Sequence, residues 1–161
     1  MATIQATMSL SSDISTYGVQ IGNTMTMTKS GSTTGLDQAT GLIRKTLSSI
    51  NEVDLITVGA GVAADIPNNL FSSKVYIKNV NSDSSEYFTV GLGKASTGSS
   101  KEDFSVADSA ERSVELGRLY ANDWMLIPWD AVSDENDIFV KPSVATNMVV
   151  EYMVFYQLAD S

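Results

Sequence analysis

The sequence predicts an all-β protein: a single antiparallel β-sandwich or jelly roll with a strand-rich N-terminal arm. Three observations predict it. Apolar and polar residues alternate along much of the 161-residue chain, which is the period of a strand with one buried face. Clusters of Gly, Asn, Asp, Ser and Pro interrupt the alternation at regular intervals and mark turns. With 43% apolar and 18% charged residues, the chain has the composition of one folded domain of ordinary size.

The elements follow in order. Ala2, Ile4, Ala6, Met8 and Leu10 stand on even positions with Thr3, Gln5, Thr7 and Ser9 between them. Val19, Ile21, Met25 and Met27 repeat the pattern on odd positions, opposite Thr24, Thr26 and Thr28. These are two strands, and Gly31-Ser-Thr-Thr-Gly35 is a connection. Residues 1–50 form this Ser/Thr-rich arm, either packed on the main domain or extending from it, and residues 51–161 form the sandwich domain. Residues 37–50 fit a helical stripe through Leu42, Ile43, Thr46, Leu47 and Ile50, or a strand from Leu42 to Ser48. Gly41 and the strand-like neighbours favour the strand. Val53 to Val58 is the next strand. Val75-Tyr76-Ile77 and Tyr87 to Leu92 read as a hairpin across the turn-rich segment Asn79 to Ser85. A short helix is possible around Lys101 to Ala107. Val114 to Leu119, Trp124 to Ile127 and Ile138 to Val140 are short strands, with Pro128 and Pro142 ending two of them. The last strand carries Met148, Val150, Tyr152, Val154, Tyr156 and Leu158 on one face. Val149, Glu151, Met153, Phe155 and Gln157 share the other. A strand this apolar on both faces is expected at the centre of a sheet and in contact with a partner subunit.

Composition narrows the chemistry. Without cysteine there are no disulfides, thiolate nucleophiles or Cys metal sites. Without histidine the chain lacks the side chain that titrates near neutrality and binds metals most often. The net charge is −9, which disfavours nucleic acid and anionic lipid as partners. The charge is uneven: residues 1–50 are net +1 and residues 51–161 net −10. No apolar run approaches the ~20 residues of a membrane helix, and the N-terminus lacks the features of a secretory signal. A protein made in the cytoplasm is expected.

Motifs of catalysis or cofactor binding are weak. Gly59-Ala60-Gly61-Val62-Ala63-Ala64 matches the dinucleotide fingerprint after a strand, but that site needs a long helix to follow. Asp65, Ile66 and Pro67 follow instead, so the segment reads as a glycine turn. Asp134-Glu135-Asn136-Asp137 and the group Asn81, Asp83 and Glu86 offer oxygen ligands for Ca²⁺, yet both are good turn chemistry. No catalytic residue, cofactor or metal ligand is assigned. Tyr120, Trp124 and Trp129 fit a core or a subunit contact better than a sugar-stacking site.

Three segments carry a resemblance: Val75-Tyr76-Ile77-Lys78-Asn79 with Tyr87-Phe88-Thr89-Val90-Gly91; Leu116-Gly117-Arg118-Leu119-Tyr120-Ala121-Asn122-Asp123-Trp124-Met125-Leu126-Ile127-Pro128; and Ile138-Phe139-Val140-Lys141 with Val149-Val150-Glu151-Tyr152. From Lys74 onward the chain resembles small β-sandwich virion structural proteins of tailed bacteriophages, of the capsid decoration (cement) or tail accessory type. Relatives often place Gly-Glu where this chain has Asn122-Asp123. The resemblance implies a non-enzymatic virion protein that stabilises contacts between major capsid protein subunits, as a homo-oligomer or symmetric array. A tail or neck adaptor is the alternative, and a carbohydrate-binding module a second. The contact residues expected on this reading are Ile4, Met8, Leu10, Val19, Ile21, Met25 and Met27 in the arm. Tyr120, Trp124, Trp129, Met153 and Phe155 complete the set.

Overall fold

A computed structural model describes residues 4–12, 19–28, 36, 38–59, 66–67, 73–93, 114–129 and 137–156, and among them there is no helix. The strands are β1 (Gln5–Ser12), β2 (Val19–Thr26), β3 (Gln38–Ala39), β4 (Ile43–Leu47), β5 (Val53–Ile56), β6 (Val58–Gly59), β7 (Ile66–Pro67), β8 (Ser73–Asn79), β9 (Tyr87–Leu92), β10 (Val114–Tyr120), β11 (Trp124–Trp129), β12 (Ile138–Pro142) and β13 (Met148–Tyr156).

Two antiparallel sheets form a sandwich. One has the order β10-β9-β12-β5. The other has the order β11-β8-β13, with β3 and β4 both on the far side of β13. Consecutive strands occupy matching places in opposite sheets: β4 with β5, β8 with β9, β10 with β11, β12 with β13. The antiparallel pairs within the sheets nest, β4 with β13, β5 with β12, β8 with β11 and β9 with β10. A long double ribbon folded over on itself gives this order, and it is the jelly-roll arrangement of two four-stranded layers.

Alternation decides which side of each strand enters the core. In β8, Val75 and Ile77 are fully buried, and their partners Ile127 and Met125 on β11 pack on the same core. Met148, Val150, Tyr152 and Val154 supply the inner side of β13. Phe88, Val90, Leu119 and Val140 answer from the opposite sheet. At the open side between β4 and β5, Lys45 is directed inward by its register but reaches out of the core. Its Nζ donates to the carbonyl of Asp54 at 2.9 Å, so its stem covers apolar surface while its charge is satisfied.

The expected strand over 42–48 is β4, and Gly41 stands at φ +81 just before it. The final strand is central, as its two apolar faces require: β8 lies on one side, β3 and β4 on the other. Two expectations are corrected. Val75–Ile77 and Tyr87–Leu92 are not a hairpin. They lie in opposite sheets, and β8 pairs with β11 and β13. Asn79 turns the chain across the sandwich. It is fully buried, and its Nδ2 donates to the carbonyls of Leu119 and Glu86 at 3.0 and 3.3 Å. Its backbone amide and carbonyl bond Asp123 and Asn122. Pro128 does not end its strand either. β11 is an edge strand, so a residue without N–H is tolerated there, and pairing continues to Trp129. The possible helix at 101–107, the connection at 31–35, residues 60–64 of the glycine motif and residues 134–136 lie outside the described residues.

Candidate interaction surfaces

The outer face of the sheet β11-β8-β13-β4 is set by register. Trp124, Lys78, Glu151 and Arg44 form one row of cross-strand partners. Leu126, Tyr76 and Met153 form the next, and Pro128, Lys74, Phe155 and Ala39 the third. Trp124 is 53% exposed, and its ring lies 6.3 Å from that of Tyr76 with a 37° tilt. Tyr76, Met153 and Phe155 are half-buried. Large apolar side chains therefore stand on the solvent side of a strand whose inner side is already core.

Charge on this face has a defined arrangement. The Glu151 side chain is only 9% exposed, and its Oε2 accepts from Nε of Arg44 at 2.8 Å. Arg44 itself is 67% exposed. A buried carboxylate needs such a partner, since its desolvation would otherwise go uncompensated. The Tyr76 phenol is pushed above its ordinary value, first by burial and then by the negative charge of Glu151.

The second surface is the N-terminal hairpin. β1 and β2 pair with each other in a two-stranded sheet of their own. Their register sets Ala6 opposite Met25, Met8 opposite Asn23, Leu10 opposite Ile21 and Ser12 opposite Val19. The alternating positions put Gln5 opposite Thr26 and Thr7 opposite Thr24, whose hydroxyls lie 2.9 Å apart. By this register the even positions of β1 and the odd positions of β2 share one side of the ladder. Met8 on that side is 51% exposed. At the base of the hairpin, the Met27 amide donates to the carbonyl of Ile4, and Met27 and Leu36 are buried.

A third region is acidic. The connections 80–86, 121–123 and 143–147 meet at one end of the sandwich. Asn79 joins the first two, and Thr146 Oγ1 donates to Glu86 Oε1 at 3.0 Å. Asp83, Glu86 and Asp123 lie in these connections, which contain no Lys or Arg. Asp83 accepts from the amide and hydroxyl of Ser85 at 2.9 and 2.7 Å. Asp123 accepts from the amide of Tyr120 at 3.0 Å. These oxygens are committed to turns, and among the described residues no three His, Cys, Asp or Glu gather to hold a metal. Asp137, from the other acidic motif, is buried and accepts from the amide of Val58 at 2.7 Å.

The aromatic group expected from sequence is dispersed. Trp129 is buried in the core, and Trp124 lies on the outer face just described. Tyr120 is on the opposite sheet, 5.2 Å from the ring of Tyr87, over which Arg118 stacks at 4.7 Å. Trp124, Met153 and Phe155 share one face. Ile4, Met8 and Met27 belong to the hairpin and its base, where Leu10, Val19, Ile21 and Met25 have strand positions. Sequence reasoning missed Lys74, Tyr76, Lys78 and Arg44 as companions of Trp124. Their alternation in 74–78 was visible, but only register aligns them with β11 and β13. Comparison with protein-family models, with curated proteins and with solved structures finds no match.

Proposed function

We propose that the protein is a non-enzymatic structural component of a bacteriophage virion, acting as a capsid decoration or cement protein on the major capsid protein. The observation that carries the reading is the N-terminal hairpin. It joins neither main sheet, and its apolar side includes the half-exposed Met8. A two-stranded hairpin has little stability of its own in water, so its apolar side gains by lying against another surface. The jelly roll is of the kind used by viral capsid domains. The fold does not choose the function by itself, which is why the argument rests on the hairpin. On a symmetric lattice, a modest contact repeated at every copy adds up to a large stabilisation of the shell.

Deleting residues 1–30 tests this. The truncated protein is expected to melt cooperatively and to be missing from purified particles. Incorporation equal to that of the full chain would defeat the reading. A mass-spectrometric count in intact virions fixes the location. A number in the hundreds belongs to decoration. A count of about three, six or twelve, the multiplicity of a cyclic ring, would move the protein to the tail or neck.

A further inference from the structure

The molecule carries opposite charge on two surfaces. Arg44, Lys74 and Lys78 against the single Glu151 give the outer face of β11-β8-β13-β4 a net charge of +2, in a chain of net −9. Arg44 and Glu151 are paired with each other. That leaves Lys74 and Lys78 as the positive charges a neighbour would meet. They flank Tyr76, and Trp124 and Met153 adjoin it. The described connections 80–86, 121–123 and 143–147 at one end of the sandwich carry three acids and no Lys or Arg within them.

We propose that the protein associates with itself end to face: the acidic end of one copy docks on this aromatic, basic face of the next. Charge selects the pairing. Face against face sets lysines against lysines, and end against end sets carboxylates against carboxylates. Of these three pairings of described surfaces, end against face is the one that brings opposite charges together. The overall charge of −9 does not forbid it, because at about 0.15 M salt charges are screened over about 8 Å and the apposed groups dominate. Asp83, Glu86 and Asp123 meet Lys74 and Lys78 at the rim, while Trp124, Tyr76 and Met153 supply an apolar centre. Aromatic residues and methionine are the types enriched in interface cores. Because the two patches differ, the contact is heterologous and generates a ring or a filament. The inference does not depend on the protein being part of a virion.

The test is sedimentation and light scattering of the full chain across concentrations up to about 1 mM, where even weak contacts form. Association is expected at about 0.15 M salt, where long-range repulsion is screened but apposed groups still attract. It should be lost at about 1 M salt, where the screening length falls to about 3 Å. The double variant Lys74→Glu, Lys78→Glu is expected to be monomeric. So is the triple variant Asp83→Asn, Glu86→Gln, Asp123→Asn, which removes charge but keeps the oxygens that accept turn hydrogen bonds. Mixed together, the two variants should form a one-to-one dimer that grows no further, since one retains the end and the other the face. Trp124→Ser, which alters a half-exposed side chain outside the core, should weaken association by about tenfold or more. A wild-type chain that stays monomeric throughout would overturn the proposal. So would variants that assemble as the wild type does, or a mixture that yields no dimer.

Discussion

At Gly91 the ring of Phe139 and the backbone of Val114 occupy the space a side chain would need. A Cβ there would overlap the ring of its cross-strand partner Phe139 and lie 2.7 Å from the carbonyl oxygen of Val114. Phe139 is fully buried although its neighbours Ile138 and Val140 supply the main core. Gly91→Ala is therefore expected to cost about 2–3 kcal/mol in denaturant unfolding, as overpacking does. Phe139→Leu in the same background should recover part of the loss, and an unchanged midpoint for the single variant would refute the clash. A second residue-scale prediction concerns acid. The Ser85 hydroxyl, and after it the Ser85 amide, hold the Asp83 carboxyl below its usual value of 3.8. A carboxyl whose folded pKa is depressed contributes stability above its unfolded pKa, and that contribution is lost as pH falls through the folded value. The turn should thus persist at pH values where a free aspartate is already protonated. A carboxyl-carbon titration by NMR checks this: the Asp83 midpoint should lie low in the wild type and rise in Ser85→Ala.

At the scale of elements, β3 and β4 behave as one edge strand with a break at Thr40-Gly41. The Thr40 amide donates to the Val154 carbonyl at 3.0 Å, and the Val154 amide donates to Thr40 Oγ1 at 3.1 Å. A side-chain hydroxyl thus takes the place of a ladder carbonyl where Gly41 adopts positive φ. Thr40→Ala would strand the amide of a fully buried residue and should cost about 1–3 kcal/mol. Thr40→Ser keeps the acceptor and should lose much less, so equal losses in the two would show that the hydroxyl is not the cause. The Leu42–Ser48 strand was legible because a glycine disfavours a helix there. The hydroxyl that repairs the break was not legible, since it depends on Val154, which is remote in sequence. The supposed hairpin between Val75–Ile77 and Tyr87–Leu92 went wrong for a related reason. Alternation identifies strands but not their partners, and two neighbouring strands can pair beside each other or stack across a sandwich. Asn79, satisfied on both sides of the crossing, decides for the stack.

At the scale of the molecule, the nested order of strands settles which faces remain available. β13 spends one side on the core and leaves the other among Trp124, Leu126 and Tyr76 of β11 and β8. Among the described residues, charge is likewise not spread evenly. The fold collects Asp83, Glu86 and Asp123 at one end and leaves lysines on an outer sheet face. Association by that end and that face, and attachment through the N-terminal hairpin, make separable predictions. Charge variants of Lys74 and Lys78 should abolish self-association and leave the hairpin intact. Removal of residues 1–30 should do the reverse. If either change abolished both properties, the two surfaces would not be independent.

The sequence by itself determined the secondary structure class, the strand periods, the centrality of β13 and the absence of thiol and imidazole chemistry. Each of these is local or compositional: a two-residue period follows from the pleat, and a missing residue type is missing everywhere. Only the tertiary structure decided which strands are neighbours, that Trp129 is core while Trp124 is surface, and that Lys74, Lys78, Arg44 and Glu151 share a face. Those facts depend on register between segments far apart in the chain. Register is fixed by the joint packing of two sheets and by buried polar groups such as Asn79, which no single segment contains.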